Sequence, residues 1–216
     1  MIFADREQAS IMLARKLASR LNTKRRSSLI VLAIPRGGVI TGAIIAESLG
    51  ISLDLVIAKK VGFPSNPEFA IGAVMHDGSF IPNEDIDVST DVLRHYILDK
   101  VSNLKKEINR RLIMFRGNKK YDLQGKTAIL VDDGIATGAT MLAAIKWLKT
   151  QRLEKLILAV PVGPAGTIEK MRDIVDEVLV LYAPTMFNAV GSFYKDFRQV
   201  SDDEVIDIMK KHRKTD

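Results

Sequence analysis

Five short stretches of the chain are dominated by apolar, often branched residues: Leu29–Ile34, Leu53–Ala58, Thr127–Val131, Leu156–Val160 and Val178–Tyr182. Runs of this length with little polar alternation suit strands buried on both faces. Helical periodicity fills most of the gaps, over 39–49, 138–150 and 164–174. Alternating buried strands and helices predict an α/β fold, a doubly wound, mainly parallel five-stranded sheet with helices on both faces. Residues 5–21 add an amphipathic helix, with Ala9, Leu13, Leu17 and Leu21 spaced four apart.

The pattern changes in the middle of the chain. Residues 69–75 and 79–82 read as extended pieces joined by His76-Asp77-Gly78, a hairpin signal. A long helix follows near 90–115. At the end, 201–212 predicts a short helix with Ser201 as cap, Glu204 completing a capping box, and Val205, Ile208 and Met209 on one face. No linker is rich in Gly, Ser or Pro. The expectation is a single domain over 1–216, with a core of about 28–183.

Composition narrows the chemistry. The 216 residues include no cysteine and three histidines, which excludes disulfides, thiolate metal sites and cysteine nucleophiles. The net charge of +6 equals the excess in two short runs, Lys24-Arg25-Arg26 and 210–216. A duplex-binding protein usually spreads its basic face more widely, so nucleic acid is not the expected partner. The start, Met-Ile-Phe-Ala-Asp-Arg-Glu, is charged where a signal peptide is apolar. The longest uncharged stretch, Val178–Tyr194, is broken by Pro184, Asn188 and Gly191 and is short for a membrane span. A cytoplasmic protein with no membrane partner is expected; homo-oligomerisation is left open.

In open parallel sheets, ligands bind beyond the carboxyl ends of the strands. After the third apolar run comes Asp132-Asp133-Gly134-Ile135-Ala136-Thr137-Gly138-Ala139-Thr140. A loop of small and hydroxyl residues opening a helix offers free N–H groups and a positive dipole end to a phosphate. Two carboxylates cannot share that role, but they accept hydrogen bonds from vicinal hydroxyls. The segment therefore suits a sugar phosphate. Pro35-Arg36-Gly37-Gly38 follows the first run, Lys59-Lys60 the second, and Pro161-Val162-Gly163-Pro164 the fourth. Gly37, Gly38 and Gly42 also read as positions where a helix packs close to its strand. No G-x-x-x-x-G-K-[ST] or G-x-G-x-x-G pattern is present.

Ile129–Thr140 resembles the signature of type I phosphoribosyltransferases, which bind 5-phosphoribosyl 1-diphosphate (PRPP), and Pro35–Gly38 resembles their diphosphate loop. The resemblance covers roughly 28–200. It implies that Asp132 and Asp133 hold the ribose hydroxyls. Ala136, Thr137, Gly138, Ala139 and Thr140 would hold the 5′-phosphate. Arg36, Gly37 and Gly38, with Lys59 or Lys60, would contact the diphosphate. It also implies a cis Pro35–Arg36 peptide, and Mg²⁺ held mainly by PRPP and water, near Asp132 and Asp133. Gly62-Phe-Pro-Ser-Asn-Pro-Glu68 would begin a mobile closing loop within 62–82, with Glu68 orienting the acceptor or assisting proton transfer. Segments 1–27 and 184–216 would form a hood over the acceptor, with Phe187 lining its pocket and the other aromatics packing.

The implied reaction transfers the phosphoribosyl group to a nitrogen acceptor, a nucleobase, and releases diphosphate. Ala136 stands where hypoxanthine–guanine enzymes carry an aspartate, which disfavours a 6-oxopurine. The alternative is a PRPP-binding regulator that contacts nucleic acid through the basic runs.

Overall fold

The computed structural model describes residues 2–21, 23–83 and 86–212, and for Thr23, Lys24, Arg25 and Glu68 the backbone alone. Much of both basic runs, including Lys24, Arg25 and 213–216, thus lies outside the described side chains. In chain order the first elements are α1 (Arg6–Ala18), β1 (Leu29–Ala33), α2 (Gly37–Leu49), β2 (Ser52–Leu55), β3 (Ala58–Phe63), β4 (Asn66–Met75) and β5 (Phe80–Pro82). Then come α3 (Asp91–Arg116), β6 (Thr127–Val131), α4 (Ala139–Lys149), β7 (Lys155–Val162), α5 (Ala165–Arg172), β8 (Glu177–Tyr182) and α6 (Asp202–His212). None of the described helices is long and apolar enough to cross a membrane. The chain divides into two compact units: Met1–Val56, Asp122–Ala136 and Gln151–Asp216 form one, and Ile57–Tyr121 with Thr137–Thr150 the other.

The first unit holds the five-stranded parallel sheet, in the order β2-β1-β6-β7-β8. Its burial follows the sequence pattern. β1 and β6, apolar throughout or nearly so, are buried at every position and lie inside the sheet. β2 alternates, with Ser52 and Asp54 partly exposed, and forms an edge. The order reverses at β1: β2 lies on one side of it and β6 on the other. The crevice beyond the carboxyl ends of β1 and β6 is therefore the topological switch point, where open α/β sheets bind ligands. Gly42 lets α2 approach this sheet, since a Cβ there would stand 2.8 Å from the Ala33 Cβ and 2.9 Å from Leu53 Cδ1. α6 carries its expected capping box: Glu204 N–H donates to Ser201 Oγ at 3.1 Å, and Ser201 N–H donates to Glu204 Oε2 at 2.9 Å.

The second unit is built on the antiparallel sheet β3-β4-β5. Ile71, Met75, Ile108, Leu112 and Phe115 are among its fully buried side chains. Trp147 is core as expected, edge-on to His76 and to Tyr121 with centroids 4.8 Å away in each case. Burial pushes the His76 imidazole below its ordinary pKa, with Asp77 opposing and Arg116 reinforcing.

Two expectations for this region are corrected. Gly62–Glu68 is not a loop: β3 runs through Phe63, turns at Pro64-Ser65, and returns as β4 from Asn66. Gly62 permits that close return, because a Cβ there would lie 2.2 Å from the Pro67 carbonyl. The run Leu53–Ala58 is not one strand either. Val56 N–H still bonds to the Ala33 carbonyl at 3.0 Å, but the ladder ends there and Ala58 opens β3. Lys59 and Lys60 thus lie within an antiparallel strand, not beyond a parallel one. The body outside the two terminal runs is also neutral only in sum. From Asp91 to Lys120, nine Lys and Arg face three acids, on α3 and the tail after it.

Candidate functional site

The first unit brings Pro35–Gly38 and Asp132-Asp133 together at the switch point. Pro35–Arg36 is a cis peptide. Both glycines after it are required by the acids opposite. A Cβ on Gly37 would stand 1.8 Å from Asp133 Oδ2, and one on Gly38 would stand 2.9 Å from both Asp132 Cα and Asp132 Oδ1. These two glycines thus pack against the acid pair after β6 and not, as expected from the sequence, against the strand before their helix; Gly42 alone of the three meets β1.

The two acids differ in their surroundings. Asp133 is buried, and its Oδ2 accepts from Arg6 Nε at 2.6 Å. Its carbonyl accepts from the Tyr194 hydroxyl at 2.5 Å. Asp132 keeps an edge in solvent, and its Oδ1 accepts from Asp133 N–H at 2.8 Å. Burial of the Asp132 carboxyl, then the neighbouring Asp133 charge, raise its pKa well above the ordinary carboxylate range. Burial also raises Asp133, with Arg6 opposing. Burial, and then the Asp133 charge, push the Tyr194 phenol up, so it stays a donor.

Arg36 stands just before α2 without a side-chain capping bond, and its Nη1 lies 3.4 Å from Asp202 Oδ1 in α6. Phe187 is partly buried and stacks on Phe193, centroids 5.1 Å apart and planes at 24°. Both belong to a cluster with Phe3, Tyr194 and Phe197. The terminal aromatics thus pack together, as expected for most of them.

The loop runs on through Ala136 and Thr137, both exposed, to Gly138 at φ +84° and then α4. Glycine tolerates that backbone conformation without steric cost. No side chain caps α4, so its first N–H groups are open to an anion.

In the second unit, Lys59 Nζ pairs with Glu107 Oε1 at 2.8 Å, and the hydrogen bond from Lys59 holds the Glu107 carboxyl below its ordinary range against a smaller effect of burial. Lys60 is the more exposed of the two lysines. The Glu68 side chain lies outside the described residues.

Sequence reasoning missed Arg6 and Tyr194. The signal for Arg6 was present: residues 6, 10, 13 and 17 are all buried in α1, so the arginine occupies the apolar face of its helix.

The model of the phosphoribosyl transferase domain matches residues 5–198. The chain belongs to this family. Two Mycobacterium tuberculosis proteins, from strains CDC 1551 / Oshkosh and ATCC 25618 / H37Rv, are each 40% identical over 207 residues. They are named "Putative phosphoribosyl transferase MT0597" and "Putative phosphoribosyl transferase Rv0571c". The match takes in 95% of this phosphoribosyl transferase chain and 46% of each relative, so the chain spans about half their length. The crystal structure of TT1426 from Thermus thermophilus superposes with a TM-score of 0.81 at 34% identity, covering 98% of this chain and 99% of that one.

Proposed function

We propose that residues 1–216 form one PRPP-dependent phosphoribosyl transferase domain that moves the phosphoribosyl group to a ring nitrogen of a nucleobase and releases diphosphate. The observation that supports this best is the pair Asp132 and Asp133 at the switch point of a chain in this family, directly against the Pro35–Gly38 loop. Asp132 and Asp133 accept the ribose hydroxyls. The backbone from Ala136 to Thr140, with the Thr137 and Thr140 hydroxyls, holds the 5′-phosphate at the open start of α4.

Displacement at the anomeric carbon passes through a transition state of oxocarbenium character. Charge that develops on the leaving diphosphate is met by Gly37 and Gly38 N–H groups and by Arg36. This is electrostatic preorganisation and needs no covalent nucleophile. Arg36 leaves Asp202 to make its contact. Phe187 lines the acceptor pocket.

The donor set fits Mg²⁺ carried in by PRPP. The site offers hard oxygen ligands, and among the described residues no three His, Asp or Glu side chains gather into a metal cage. Bound through the diphosphate and water, the ion would neutralise leaving-group charge. A soluble cytoplasmic enzyme of nucleotide metabolism is the setting we propose.

The test is a diphosphate-release assay with PRPP and a panel of purines, pyrimidines and related heterocycles. Release that requires one heterocycle is expected. PRPP binding without release for any heterocycle would favour a regulator instead.

A further inference from the structure

Arginine is almost never buried without partners, yet Arg6 is 8% exposed. Its Nε donates to Asp133 Oδ2 at 2.6 Å and its Nη1 to the Arg198 carbonyl at 2.7 Å. Its guanidinium lies 3.8 Å from the centre of the Phe197 ring. Gly37 leaves the space for this arrangement, since a Cβ there would also lie 3.1 Å from Arg6 Nε. The Tyr194 hydroxyl holds the Asp133 backbone from the other side. Segments from both ends of the sequence therefore converge on Asp133, Arg6 on its carboxylate and Tyr194 on its backbone carbonyl.

We propose that Arg6 is a positioning residue for sugar recognition: it fixes and charge-balances Asp133 so that one carboxylate oxygen is occupied and the other faces the ribose hydroxyls. The inference rests on the reading of Asp132-Asp133 as the sugar site. Among the described residues, three groups act on Asp133: Arg6 from α1, Asp132 from its own loop, and the Tyr194 hydroxyl from the C-terminal segment. Only Arg6 brings positive charge. A charge-assisted bond to Oδ2 sets the plane of the carboxylate. That plane decides where Oδ1 points, and so how well it receives a hydroxyl. Without Arg6 the carboxylate would turn, and the buried Asp133 would face the partly buried Asp132 uncompensated.

The test separates sugar recognition from general stability. Binding of ribose 5-phosphate and of its 2-deoxy and 3-deoxy analogues is measured by calorimetry without metal, for the wild type, Arg6→Gln and Arg6→Lys. The wild type is expected to prefer the full sugar about tenfold or more over at least one deoxy analogue. Arg6→Gln should lose most of that preference and still bind the deoxy analogue as the wild type does. Arg6→Lys restores the charge beside Asp133 and should keep the preference within about threefold. If Arg6→Gln does not fold, Arg6→Lys carries the test, and loss of its hydroxyl preference would overturn the proposal. Equal weakening toward all three sugars in Arg6→Gln, or no change, would overturn it as well. A wild type that binds ribose 5-phosphate and its deoxy analogues equally would instead remove the sugar-site reading on which it rests.

Discussion

Burial raises the pKa of both Asp132 and Asp133, but it is Asp133 that pairs with the buried Arg6. The pKa of Asp132 is raised above its ordinary 3.8, first by burial and then by Asp133. A carboxylate raised in the folded state binds more protons folded than unfolded. Its penalty is absent below the ordinary pKa and fully present above the folded one. Asp132→Asn should therefore raise Tm at pH 7–8, and the gain should vanish as the pH falls toward 4. A gain of about 1 kcal/mol would appear as about 2–4 °C in a domain of this size. Asp133→Asn should instead lower Tm, because it strands the buried Arg6 guanidinium; breaking a buried pair from one side costs about 3–5 kcal/mol. Thermal melts of both variants across pH check this, and matching shifts would contradict it. The acid pair was legible because a strand that ends in two carboxylates before a small-residue loop has few structural uses. Arg6 was not singled out, because a charge in the first turn of a helix normally faces water. Only its phase against Ser10, Leu13 and Leu17 marks it as buried.

At the scale of elements, the parallel strands were readable because burial on both faces removes polar alternation. β3 was hidden by its composition: Lys59, Lys60 and Gly62 interrupt any apolar pattern, and the prolines at 64 and 67 imitate a loop. Pairing with β4 supplies the order that side-chain pattern does not. α6 was legible down to its cap, and it bears on the site because its first turn holds Arg36 through Asp202. Ser201→Ala removes the acceptor for Glu204 N–H and should cost about 1 kcal/mol. The expected outcome is a Tm lower by about 2–4 °C, with fold and sugar binding retained. A drop beyond about 10 °C, well outside what one cap supplies, would mean that the cap supports more than its own helix.

For the whole molecule, the sheet order reverses at β1, and Pro35–Gly38 and Asp132-Asp133 meet beyond β1 and β6. The acceptor was less legible, because the terminal aromatics that could meet it are largely engaged with one another. Whether Asp132–Thr140 grips a phosphorylated pentose is decided by a crystal structure with PRPP and Mg²⁺. The ribose hydroxyls are expected within hydrogen-bond distance of Asp132 and Asp133, the 5′-phosphate on the amides of Ala136–Thr140, and Arg6 still on Asp133. Donor bound elsewhere, with this segment empty, would contradict it.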